Sequence, residues 1–355
     1  MLKQAQHDKR ILVAPLNWGL GHATRCIPII NALREHYFEP VIASDGGALQ
    51  LLKKEFPYLQ ALELPSYNIT YSKKANGFKL KLLRDSPHLL KTIKRERKVV
   101  ESLVETKHIS GIISDNRFGV RHNAIPSVFI THQLRVLSGG TTWLSSKLHQ
   151  NIISKFEECW VPDHRMGTNN LSGDLGHTEN YQPSVKYIGP LSRFKKFNLQ
   201  KKYDLLVVLS GPEPQRTYLQ EKLLNELQSY DGKVCFVKGI IEAEQLKVEK
   251  ENISIYNFMT SQELEIALNE SEMVLSRSGY TSIMDYAKLE KKAFLIPTPG
   301  QFEQEYLSEK FSSEGIAPSC KQDAFEIKML NDIKDYSGFN NFQYEINYKK
   351  LFSLF

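Results

Sequence analysis

Cysteine is scarce: the four in 355 residues, Cys26, Cys159, Cys235 and Cys320, never form C-x-x-C. That excludes a disulfide framework and a paired-cysteine zinc site, and all four read as structural thiols. No run approaches the roughly 20 apolar residues of a membrane-spanning helix. Met1 to Arg10 (MLKQAQHDKR) is polar, so a cytoplasmic protein without a secretory signal is expected. The serine-hydrolase elbow G-x-S-x-G is missing. H-E-x-x-H and D-x-D are missing too, so neither a metal nor a cofactor is expected. The dinucleotide fingerprint G-x-G-x-x-G is broken in Asn17-Trp18-Gly19-Leu20-Gly21-His22-Ala23-Thr24-Arg25, where Thr24 stands at the third glycine, which argues against NAD.

What is present is a soluble composition, 41% hydrophobic and 24% charged, long enough for two domains of about 150 to 200 residues. Strand-like and helix-like stretches alternate from Ile11 to Leu16, Cys26 to Glu35, Pro40 to Ala43 and Ala48 to Glu55. Further apolar strands follow at Gly111 to Ser114, Ser127 to Ile130 and Cys159 to Val161. After the polar, basic run Ser192 to Lys202 the pattern restarts at Asp204 to Ser210. It continues through a helix from Thr217 to Gln228, strands at Val234 to Val237 and Ile253 to Tyr256, a helix from Gln262 to Asn269, and strands at Met273 to Leu275 and Ala293 to Ile296. This alternation predicts an α/β protein with two Rossmann-like, doubly wound domains, residues 1–190 and 203–335. The aromatic tail 336–355 is expected to dock on them.

Ligands of such sheets bind beyond the carboxyl ends of the strands, which brings Asn17, Asp115, Asn116, Arg117 and His132 to one rim. Gly19 and Gly21 allow a ligand close to the backbone. His22 begins a helix, where the dipole lowers an imidazole pKa, so it is the candidate general base, ahead of His132, Asp115 and Glu213. In the second half, Ser276-Arg277-Ser278-Gly279-Tyr280-Thr281-Ser282 turns from strand to helix, and the amides of such a turn suit a diphosphate. Asp285, further along that helix, can accept from two ribose hydroxyls. Gln304 and Glu305 can grip sugar hydroxyls, and Gln301 is a further donor-binding candidate. The turn Ser210-Gly211-Pro212-Glu213-Pro214-Gln215-Arg216 is a second phosphate candidate, with Arg216 and Arg277 to compensate charge and Glu213 as an awkward neighbour.

Together these carboxyl-terminal motifs resemble the family 28 glycosyltransferases, most closely those that move N-acetylglucosamine from UDP onto the lipid-linked muramyl-pentapeptide of peptidoglycan. Arg277, Gly279 and Asp285 match the family's donor pattern, with aspartate for the usual glutamate. Pro297, Gln304, Glu305 and Tyr306 match its P-x(6)-Q-Q-Y, with Glu305 for the second glutamine. The resemblance implies a GT-B fold of two domains facing a cleft, a UDP-sugar donor, and uracil read by the backbone of Phe258 and Met259. It also implies a hinge at Gly189-Pro190. In the first half it extends only to Gly19-Leu20-Gly21-His22, and in the second Ser210 to Arg216 replaces the family's glycine-serine-rich loop, which implies a relative with a different acceptor. The reading is an inverting, metal-independent transferase. A nucleotide-sugar hydrolase or epimerase, or a silent nucleotide-sugar-binding protein, is the alternative.

The net charge of +6 is concentrated. Lys73, Lys74, Lys79, Lys81, Arg84, Lys91, Lys94, Arg95, Arg97 and Lys98 face only Asp85 and Glu96 in one segment. Interleaved leucines, without aromatic platforms, favour an anionic membrane surface or a lipid-linked acceptor over nucleic acid, which is not expected as a partner. A solvated helix face is the other reading.

Overall fold

The computed structural model describes residues 9–67, 78–138, 142–165, 170–178, 184–240, 242–342 and 344–355, and of residues 78–87 the backbone alone. Lys73 and Lys74 of the basic segment lie outside the described residues, as do residues 1–8 of the polar tail. Two compact units result. One is Met1–Leu191 together with Glu345–Phe355, and the other is Ser192–Tyr344.

In the first unit β1 (Arg10–Pro15), α1 (Gly21–Glu35), β2 (Glu39–Ser44), α2 (Gly46–Glu55), β3 (Ala61–Glu63) and α3 (Phe78–Lys107) form one half. The other half is β4 (Ile109–Asp115), β5 (Ser127–Ile130), α4 (Thr142–Ile153), β6 (Glu158–Val161) and β7 (Val185–Tyr187). The seven strands are parallel, in the order β3-β2-β1-β4-β5-β6-β7. Ile11, Leu12, Val13, Ile112 and Ile113 are fully buried at successive positions, as strands covered on both faces must be. Strand order reverses between β1 and β4, and the register sets Pro15 beside Asp115 there.

The last residues of the chain complete this unit. In the short helix α9 (Tyr348–Leu351) and the turn after it, Phe352 and Phe355 pack edge-on against Phe38 and lie against Trp160. Gly111 makes room for them: a Cβ there would stand 2.3 Å from the Phe355 ring.

The second unit contains β8 (Tyr203–Val208), α5 (Gln215–Glu226), β9 (Val234–Val237), β10 (Lys247–Lys250), β11 (Ile253–Tyr256) and α6 (Ser261–Asn269). It continues with β12 (Ser271–Ser276), α7 (Tyr280–Leu289), β13 (Lys292–Leu295) and α8 (Phe302–Ser313). Its sheet runs β10-β11-β9-β8-β12-β13, with the order reversing between β8 and β12. Sequence reading missed β10, whose four residues are all exposed and which pairs antiparallel with β11. Its Lys-Val-Glu-Lys composition is that of a charged edge, without an apolar face to signal a strand. The helix expected from Thr217 begins two residues earlier, directly after Pro214, and ends in a 3-10 turn, Leu227–Ser229.

Candidate active site

Both sheets bring candidate residues to the point where their strand order reverses, the place open α/β sheets offer to ligands. In the first unit the turn after β1, with Gly19 at φ +74°, leads into α1. His22 lies in the first turn of that helix, and Asp115 ends β4. His22 Nδ1 is 2.8 Å from Asp115 Oδ1, and Arg25 Nε donates to Asp115 Oδ2 at 2.5 Å while its Nη2 is bonded to Oδ1. Burial opposes the charge on Asp115, but Arg25 and then His22 outweigh it and hold the carboxyl at about 2. An ionised Asp115 needs a donor, so the His22 proton belongs on Nδ1 and the lone pair on Nε2. The 2.9 Å approach of Arg25 Nη2 to His22 Nδ1 is then a contact between two donors that share Oδ1. Burial lowers the His22 pKa, with Asp115 acting against it and Arg25 with it, so the ring is neutral near pH 7. His132 is buried, with Nδ1 3.0 Å from Arg25 Nη1. Asn116, at φ +57°, has Nδ2 3.5 Å from Asp115 Oδ1.

Arg25 was not singled out from the sequence, although its place three residues after His22 on a helix puts both on one face. Asn17 and Arg117, read as rim residues, are bonded to Asp45 just after β2. Asn17 donates to Asp45 at 3.2 Å and accepts from Ala48 N at 3.2 Å, which ties it to the start of α2. Arg117 is fully buried, bonded to Glu96 at 2.7 Å, Asp45 at 2.6 Å and Pro65 O at 2.6 Å.

In the second unit β12 passes through Arg277 and Ser278 to Gly279, the N-cap of α7. No acidic side chain lies in the first turn and the N-cap is a glycine, so the positive end of the helix dipole is not offset by a local carboxylate. Ser278 donates to Gln304 O at 2.8 Å, and Gln304 Oε1 accepts from Thr298 N at 2.8 Å. Glu305 accepts from Gly300 N at 2.9 Å. Gln301 caps no amide with its side chain, and its Oε1 is buried without a partner among the described residues. Asp285 is buried and accepts from Ser192 Oγ at 2.6 Å. Burial pushes its carboxyl up to about 6 against the opposing pull of Arg193 and Ser192.

The other candidates of this half already have partners within the fold. Arg216 is paired with Glu213 and donates to Gly239 O at 2.6 Å, so its charge is already met. Glu213 also accepts from Thr217, which turns it into the start of α5 beside Ser210 and Gly211 and resolves its awkwardness next to a phosphate. Arg277 is buried on Pro297 O at 3.0 Å, Gln215 O at 2.8 Å and Gln322 Oε1 at 2.6 Å, and burial lowers its pKa to about 10. It ties three loops together behind the turn. Phe258 N donates to Asn257 Oδ1 and its carbonyl accepts from Gln245, so both backbone groups of Phe258 are engaged; Met259 follows it just before α6. Among the described residues no three His, Cys, Asp or Glu side chains converge so as to hold a metal ion.

Residues 215–350 match the Glycosyltransferase family 28 C-terminal domain. The chain carries a family 28 domain and is a glycosyltransferase. Across 84% of its length it is 23% identical to the UDP-N-acetylglucosamine--N-acetylmuramyl-(pentapeptide) pyrophosphoryl-undecaprenol N-acetylglucosamine transferase of Clostridium botulinum (strain Alaska E43 / Type E3), 81% of which is covered. Among solved structures it is similar to the glycotransferase of kitacinnamycin, with TM-score 0.61, 14% identity and coverage of 91% of this chain and 88% of the other. Acinetobacter baumannii MurG gives TM-score 0.53 and 11% identity, with coverage of 92% and 89%. The two parallel-sheet units of this glycosyltransferase are thus those of the GT-B architecture.

Proposed function

We propose that the chain is an inverting, metal-independent transferase that moves N-acetylglucosamine from UDP-N-acetylglucosamine to a hydroxyl of a lipid-linked acceptor. The observation that carries the donor half is the turn at Gly279, where a glycine-led helix N-terminus precedes the buried carboxylate of Asp285 on the same helix. The amides suit a diphosphate, and Asp285 suits ribose hydroxyls in exchange for Ser192. The activity for which the Clostridium relative is named supports the choice of sugar and acceptor class. In the reaction the acceptor O–H gives its proton to His22 Nε2, and its oxygen bonds to the anomeric carbon. The bond to the diphosphate breaks with both electrons on the departing UDP, which inverts the centre. Asp115 holds the ring in the tautomer this requires.

A peripheral location on the cytoplasmic membrane face belongs to the same proposal. Lys91, Lys94, Arg95 and Lys98 are exposed along one side of α3, and Trp143, Leu144 and Leu148 are exposed on α4. Among the described residues no helix is long and apolar enough to cross a membrane. The test is calorimetric titration of UDP in chelator, followed by product analysis with UDP-N-acetylglucosamine and lipid-linked acceptors. Strict dependence on magnesium or manganese would sink the metal-free site. Free sugar as the sole product would replace the transferase with a hydrolase.

A further inference from the structure

The loop after β13 holds a buried hydroxyl without a hydrogen-bond partner among the described residues. Thr298 is 3% exposed and its Oγ1 makes no bond. Leaving such a group unpaired is costly, so a position that keeps one calls for a physical account.

Its surroundings supply that account. Thr298 Oγ1 lies 3.6 Å from where a Cβ of Gly211 would stand, beside the turn that follows β8. Gly211 has φ +100°, which favours glycine and leaves this side of the turn without a side chain. The Thr298 amide holds Gln304 by its Oε1, which leaves Gln304 Nε2 as a donor 4.0 Å from the Cβ position of Gly279 at the start of α7. Arg277 donates to Pro297 O, one residue before Thr298, and its positive charge is met there by neutral oxygens. A hydroxyl, a side-chain amide and a helix N-terminus thus gather where the strand order reverses between β8 and β12, with a buried guanidinium behind them. Every one of these groups is a donor or a positive charge.

We propose that Thr298 is a donor-binding residue whose hydroxyl donates to a diphosphate oxygen of the nucleotide sugar, on the Ser210–Gly211 side, opposite the amides of α7. The proposal rests on the UDP-sugar reading above. It adds a second anchor for the diphosphate, one that strengthens as charge collects on the departing UDP.

The test compares UDP and uridine binding in chelator for the wild type, Thr298→Val, Thr298→Ala and Thr298→Ser. Valine keeps the shape and removes the hydroxyl, alanine removes it without a branched side chain, and serine keeps it. Val and Ala are expected to weaken UDP about ten- to hundredfold, the range for a hydrogen bond to a charged group, with uridine affinity unchanged. Ser should stay near wild type. Thr298→Val without ligand should melt no lower than wild type, because it replaces an unpaired buried hydroxyl with a methyl. Equal UDP affinity in wild type and the hydroxyl-free variants would overturn the proposal, as would a parallel loss for uridine or a fall in melting temperature with valine. A wild type that binds no UDP at all would defeat the donor reading itself, and this inference with it.

Discussion

Asp115 and Asp285 are both buried aspartates, and their neighbours push them in opposite directions. Asp115 faces Arg25 and is held at about 2, so its contribution to stability is complete above the ordinary value of 3.8 and is lost as pH falls through about 2. Asp115→Asn leaves the Arg25 charge buried without its partner. It is expected to lower stability by about 3–5 kcal/mol in denaturant titration and to abolish most turnover, whereas His22→Ala should melt normally and lose 10²–10⁴-fold in turnover. A stable Asp115→Asn variant would show that Arg25 finds another acceptor. Asp285 has the opposite sign. Its folded pKa of about 6 lies above the ordinary 3.8, so its contribution is complete below about 4 and is lost as pH rises through 6. Asp285→Asn should therefore raise stability at pH 8 by on the order of 3 kcal/mol and change little at pH 4. It should also weaken UDP binding, because the carboxylate is what ribose hydroxyls would meet. Thermal melts across that pH range, paired with UDP calorimetry, separate the two effects.

At the scale of elements, α3 explains why charge counting along a segment misleads. Glu96, counted against the basic residues, faces inward with Thr92 and Val100, bonds Arg117, and accepts from Gly119 N at 2.9 Å. It therefore subtracts nothing from the outer face, where Lys91, Lys94, Arg95 and Lys98 recur at helical spacing. Val99, Val100, Leu103 and Val104 pack into the core of the first unit, so apolar residues of α3 serve the fold there. Leu90 is exposed. Vesicle sedimentation should show binding to anionic but not neutral lipid at low salt, falling steeply as salt rises, since attraction of about 1 kcal/mol per basic residue is screened over roughly 8 Å. Changing those four residues to glutamate should abolish it. Equal partitioning in every condition would leave α3 as a solvated face and favour a soluble acceptor.

At the scale of the whole molecule, the first unit is assembled from both ends of the chain. Phe355 fills the space that Gly111 leaves in β4, a contact between residues 244 positions apart. Gly111→Ala should destabilise by about 1–3 kcal/mol through overpacking. In a Phe355→Ala background the same substitution should cost much less, because the ring it meets is gone. Additive losses in the double-mutant cycle would mean that the ring does not occupy that space.

Much of the architecture was legible because buried parallel strands carry their signature locally. Continuous apolar runs such as Ile11 to Ala14 and Leu205 to Val207, separated by helix-forming stretches, admit few other arrangements. The turn at Gly279 was legible for the same reason, since a small-residue turn between strand and helix is set by adjacent residues. Which residues serve a ligand and which serve the fold was not local. Arg216, Arg277 and Asn17 stand in motifs that invite a phosphate or an acceptor, yet their side chains are bonded to Glu213, Gln322 and Asp45, partners chosen by packing. His22 and Asp115 are separated by 93 positions, and Ser192 and Asp285 by 93 as well. A side chain's hydrogen-bond partner and its burial depend on which strands and loops become neighbours. The sequence determined the two sheets and the position of the turn at Gly279; only the tertiary structure decided which polar groups at their rims remain available for chemistry.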